Sequence, residues 1–189
     1  MLSVLLYSIA TKKQEVRIIL RTNKIRLICT TGIFIALVFV VTAYLHIPTN
    51  NGYVHVGDGL IYLAACLLPW PYAMAVGAGG AFLADCLTGF AIWAPGSVVI
   101  KALTALLFSS KGNKIINLRN SLMLLPAAVL CAGGYYLYES LIYGNYVTPL
   151  AGIPASMIQS LASSVVFIAA GLSIDKMNIK SRLRGGYCP

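Results

Sequence analysis

Four ionisable residues stand inside apolar stretches of this sequence: Asp58, Asp85, Lys101 and Glu139. In the centre of a bilayer each costs about 2.5 to 3.5 kcal/mol on insertion scales, so each needs a physical reason to be there. Two aspartates could share a proton, as in aspartyl proteolysis. Gly57-Asp58, however, lacks the earlier glycine of a G-x-G-D motif. An aspartate and a lysine on antiparallel neighbours could neutralise one another, and Asp85 with Lys101 is the pair whose spacing across a short connection suits this. Polar groups from several segments could also converge on a ligand, and Tyr53, His55, Trp93 and Gln159 are the further candidates for such a site. No G-x-x-x-x-G-K-[ST], G-x-S-x-G or H-E-x-x-H pattern occurs. A P-loop ATPase is thereby excluded, along with two common hydrolytic signatures. The chemistry that remains is binding, by a protein that is not an enzyme and needs no cofactor.

The elements that must position these groups are membrane helices. Of 189 residues, 59% are hydrophobic and only 10% charged, where a soluble domain is roughly 25% charged. So much apolar surface must face lipid. A spanning helix needs about 20 residues, which leaves room for roughly six. Hydropathy and turn residues mark six stretches, at 25–47, 59–68, 72–90, 95–109, 122–143 and 153–174. The second and fourth are short, which suits less tilted helices or helices inside the bundle. The expected fold is an all-α integral membrane protein, a compact bundle of six transmembrane helices. Residues 1–24 form a cytoplasmic or interfacial segment, 25–175 the substrate-binding domain, and 176–189 a basic tail. Met1 to Ala10 lack the positive start of a signal peptide and read as an interfacial segment or an over-long start.

The net charge of +9 is topological. Every Lys and Arg except Lys101 lies before or at the very start of the first stretch, between the fourth and fifth, or after the sixth. Cytoplasmic loops hold such an excess, so both termini are expected inside. Nucleic-acid binding is not needed to explain it. In that orientation Asp58, Asp85, Lys101, Glu139 and Gln159 all fall in the outer half of the bundle, beside Tyr53 and His55 in the first outer loop. An ion relay would spread such groups through the full thickness. A cluster confined to one half describes a pocket open to the outside.

Each residue also has a plainer role. Asp58, after Gly57 and before an apolar run, has the sequence of a helix N-cap, which is compatible with lining a pocket. Glu139 shares a face with Tyr135, Tyr138 and Ile142 and is divided between ligand contact and snorkelling to the interface. Gln159 either joins helices by hydrogen bonding or touches ligand. Trp70, Trp93, Tyr143 and Tyr146 belong at span ends, where an aromatic belt is expected. Trp93 and Tyr53 are close enough to the polar cluster to stack on a flat ligand. His46 and His55 have no third donor nearby, so no metal is expected. The five cysteines show no C-x-x-C spacing and read as small core residues. Small-residue stripes, Gly32 with Ala36 and Gly77 with Ala81 and Ala84, allow helices to approach closely.

Thr31-Gly32-Ile33-Phe34-Ile35-Ala36-Leu37, Ile47-Pro48, Gly52-Tyr53-Val54-His55-Val56-Gly57-Asp58, Leu63-Ala64-Ala65, Ala84-Asp85 with Gly89, and Trp93-Ala94-Pro95 followed by Lys101 form an ordered series. It resembles the substrate-binding S component of energy-coupling factor (ECF) vitamin transporters, in the riboflavin or hydroxymethylpyrimidine group. The resemblance spans about Leu27 to Asp175. It implies a six-helix subunit that takes a small vitamin or precursor from outside, of riboflavin, hydroxymethylpyrimidine or thiamine-like chemistry. The partners it implies are a membrane T component and two cytoplasmic ATPases. The family's docking A-x-x-x-A pair on the first helix maps to Gly32 and Ala36. Its pocket-closing loop maps to about Thr49 to Gly57. The residues expected to hold substrate are Tyr53, His55, Asp58, Trp93, Glu139 and Gln159, with Asp85 and Lys101 as a structural ion pair. A self-sufficient secondary transporter and a structural subunit of a membrane complex are the alternatives.

Overall fold

The computed structural model describes residues 2–49 and 52–180, with side chains for 23–47 and 53–180. The first helix, α1 (Leu2–Tyr44), continues well before the apolar stretch that starts near Ile25. Its end feeds a feature that an all-helical reading does not anticipate, an antiparallel hairpin of β1 (His46–Thr49) and β2 (Gly52–His55). His46 lies opposite His55 and Pro48 opposite Tyr53. Thr49 lies opposite Gly52, and the run Asn-Asn-Gly in the sequence here has turn-forming composition. Pro48 is tolerated because a two-stranded ribbon has free edges.

Helices α2 (Gly57–Leu67), α3 (Trp70–Leu87) and α4 (Ala94–Leu107) follow. Pro71 and Pro95 occupy the first turns of α3 and α4, where a missing N–H breaks no helical bond. A five-residue helix, α5 (Leu118–Leu122), precedes α6 (Leu124–Tyr143); Asn117 caps it by accepting from Asn120 N–H. A 3-10 turn (Thr148–Gly152) leads into α7 (Ile153–Lys176).

Helix α3 packs between α1 and α4, α2 lies against α7, and α6 bridges α4 and α7. Gly77 makes the α3–α4 contact possible: a Cβ there would sit 2.6 Å from the Lys101 carbonyl oxygen. The stripe of Gly77, Ala81 and Ala84 is therefore internal packing. A buried aromatic cluster forms the core, with the rings of Tyr62 and Phe108 stacked at 4.6 Å and Phe167 edge-on to both.

Three segments are long and apolar enough to cross a membrane: Asn23–Tyr44, Leu118–Tyr143 and Thr148–Lys176. Helices α2 and α4 are apolar but shorter. At 1.5 Å per residue, α2 rises only about 16 Å. Helix α2 is buried along most of its length. The longer helices expose aliphatic side chains such as Ile33, Leu125, Val129, Leu161 and Val165, as lipid-facing surfaces do.

The end remote from the hairpin is tied by polar contacts. Asp175 accepts from the backbone N–H of Ile115 and Ile116 at 2.8 and 2.9 Å. The buried Asn120 amide donates to the carbonyls of Ser109 and Ile115 and accepts from Ser109 N–H. Lys111 and Lys114 therefore share one end of the bundle with Lys176 and Lys180. Arg182, Arg184 and Cys188 lie outside the described residues.

Candidate functional site

A buried ion pair joins α2 and α4. Lys101 Nζ lies 2.8 Å from Asp58 Oδ1 and 2.9 Å from Oδ2, with both side chains almost fully buried. Gln159 Nε2, from α7, donates to Asp58 Oδ2 at 3.0 Å. Cys131 Sγ, from α6, is 3.3 Å from Lys101 Nζ, and the Tyr135 ring lies 5.1 Å from that ammonium. Four helices thus contribute to one charge-balanced floor.

This corrects the expected Asp85–Lys101 pair. Asp85 stands about 3 Å along the axis from the end of α3, while Lys101 is about 10 Å into α4 at 1.5 Å per residue. The lysine chain reaches inward to Asp58. Asp58 is also not the N-cap of α2: the helix begins at Gly57, and no side chain bonds at the Val56 cap position. His55 supplies the local bond instead, its Nδ1 accepting from Gly57 N–H at 3.1 Å. A side chain at Gly57 would collide with the Thr42 hydroxyl, so the hairpin enters α2 pressed against α1.

Above the floor, Tyr53 Oη donates to Asp85 Oδ1 at 2.7 Å, pinning β2 to α3. Trp93 Nε1 donates to Glu139 Oε1 at 3.3 Å, linking the start of α4 to α6. Ser97 and Tyr135 share a hydroxyl hydrogen bond of 2.9 Å. Edge-on contacts at 4.9 and 5.7 Å run from Tyr53 through Phe90 to Trp93. Aromatic rings therefore form one rim and carboxylates the wall behind them.

These groups enclose a cavity with about 770 Å³ of unfilled space, the part open to solvent included. Tyr53, His55, Asp58, Asp85, Trp93, Lys101, Glu139 and Gln159 all line it. Glu139 turns inward, so it is not a snorkelling residue. Thr42, Ser97 and Tyr135 also line the cavity, beyond the set expected from sequence. Ser97 precedes Lys101 by one helical turn and Tyr135 precedes Glu139 likewise, a spacing that does place them on the same faces. For Thr42 the sequence carries no such signal.

Burial pushes the His55 imidazole down to about 4; Asp58 opposes this, and Lys101 and His46 add to it. The ring is therefore neutral at ordinary pH, as its accepting Nδ1 requires. Burial, with Asp85 beside it, raises Tyr53 and keeps the phenol protonated. Among the described residues no three His, Cys, Asp or Glu side chains form a metal-binding group.

Gly32 and Ala36 are remote from the cavity, on an exposed strip of α1. A Cβ at Gly32 would meet nothing within 4 Å, in contrast with Gly77. The model of the family described as ECF-type riboflavin transporter, S component, matches residues 22–176. A search of curated proteins gave no match.

Proposed function

The chain belongs to the S component family of ECF-type riboflavin transporters, and from that premise we propose that it captures a flat, water-soluble vitamin or precursor outside the cell for ATP-driven uptake. The observation that carries this reading is the convergence of Asp58, Asp85, Lys101, Glu139 and Gln159 on one cavity beneath the hairpin. Tyr53, Phe90 and Trp93 give its rim the flat surfaces on which a heteroaromatic ring stacks.

Membership supports a membrane transport role. The six longer helices cross the bilayer, with the basic end cytoplasmic by the excess of Lys and Arg there. The cavity then opens outward. The hairpin covers its mouth, and the Asp58–Lys101 floor closes it below. The chain has no P-loop, so a membrane T component and two cytoplasmic ATPases supply the energy. Gly32 and Ala36 present the close-packing face for the T component.

Purification in mild detergent followed by mass spectrometry of released small molecules tests the reading. The expected result is a flat heteroaromatic vitamin or precursor at near one-to-one stoichiometry, bound without the partner subunits. Accumulation of that compound by the reconstituted chain alone, driven by an ion gradient, would overturn it in favour of a secondary transporter.

A further inference from the structure

The cavity is unbalanced in charge and in hydrogen bonding, and the imbalance describes its ligand. Asp58, Asp85 and Glu139 line it against a single lysine, Lys101. That lysine is fully engaged: its ammonium meets both Asp58 oxygens, Cys131 Sγ and the Tyr135 ring face. An ammonium has three donors, so none is left for a ligand. Asp85 and Glu139 each receive a bond from a neutral donor, Tyr53 and Trp93 respectively; the Ser97 hydroxyl, which bonds Tyr135, also stands beside Asp85, and neither carboxyl is in an ion pair among the described residues.

Apart from Asp58 Oδ1, which faces the lysine, two buried side-chain oxygens of the lining have no hydrogen-bond partner: Asp85 Oδ2 and Thr42 Oγ1. Asp85 is 6% exposed and Thr42 3%. A buried carboxylate oxygen without a donor is unfavourable by itself, and a ligand N–H would satisfy it. A carboxylate or phosphate brought to the same wall would meet two acidic side chains and no free cation.

We propose that Asp85 is the specificity-determining residue of the pocket: its Oδ2 accepts an N–H of a flat heteroaromatic ligand, and the pocket excludes ligands bearing a negative charge. This rests on the capture role proposed above and narrows its substrate class. An unpaired group on the protein discriminates against the wrong ligand as effectively as attraction favours the right one. Asp85→Asn places an amide N–H where Oδ2 stands, if the amide oxygen keeps the Tyr53 bond. It converts the acceptor into a donor with little change of shape.

The test is isothermal titration of the purified chain with riboflavin and lumichrome, which carry ring N–H donors, and with nicotinate and pantothenate, which carry carboxylates. At least one of the first pair is expected to bind and neither of the second. Asp85→Asn should weaken that binding roughly 10- to 100-fold, the range for a hydrogen bond to a charged group. Tyr53→Phe, which leaves Oδ2 in place, should weaken it less. Should Asp85→Asn fail to fold, the N-methylated analogue of the bound compound, titrated against the wild-type chain, is expected to lose the same affinity. Tight binding of a carboxylate, or indifference to both Asp85→Asn and N-methylation, overturns the donor rule and leaves the capture role standing. If none of the compounds binds and none co-purifies, the capture role falls and the rule with it.

Discussion

At the scale of residues, the floor of the cavity depends on one ion pair. Lys101 and Asp58 are each 1% exposed. Buried pairs contribute little net stability, but removal of one partner leaves the other as an uncompensated charge, at about 3 to 5 kcal/mol. Lys101→Ala should therefore lower the thermal midpoint in detergent sharply. Adding Asp58→Asn to it should restore part of the loss, because the carboxylate left behind is then gone. Adding Asp85→Asn instead should restore little, since Asp85 bonds Tyr53 and not the lysine. Equal midpoints for Lys101→Ala alone and with Asp58→Asn would count against the pair. An aspartate and a lysine at comparable distances from a turn look like partners in sequence. Their true depths, and the reach of a lysine side chain, decide otherwise.

At the scale of elements, the junction of hairpin and α2 is the most sensitive point. His55 takes the role of a cap: its Nδ1 accepts from Gly57 N–H only while the ring is neutral. Its acidity sits at about 4 in the closed fold, against about 6.5 for a free histidine. Between those values the opened or unfolded chain binds more protons than the closed one. Stability of the junction is thus complete above about pH 6.5 and declines as pH falls towards 4, by about 1.4 kcal/mol per pH unit within that window. Hydrogen exchange of the α2 amides, followed from pH 7.5 to 4.5, should show opening that increases roughly tenfold per unit below pH 6.5. His55→Gln retains an acceptor without a titrating ring and should flatten the dependence. A flat profile in the wild-type chain would refute the capping role. The hairpin itself is the least legible element in the sequence. Its strands are too short for periodicity to distinguish from a loop, and only the turn-forming Asn-Asn-Gly composition of the sequence signals it.

At the scale of the whole molecule, two small-residue stripes that look alike in sequence part company. Gly77 holds α3 against the α4 backbone, while Gly32 has open space before it. Gly32→Leu should therefore leave ligand affinity of the isolated chain unchanged, yet abolish uptake in cells that also make the T component and the ATPases. A parallel loss of affinity would assign Gly32 to internal packing. Composition and the long apolar stretches were sufficient for a helical membrane protein. These are properties of solvation, and solvation acts on each residue according to its type. Which carboxylate meets Lys101, which wall residue keeps an unpaired oxygen, and which glycine is covered depend on helix depth and crossing. Residues far apart in the chain determine those jointly, so only the tertiary structure decides them.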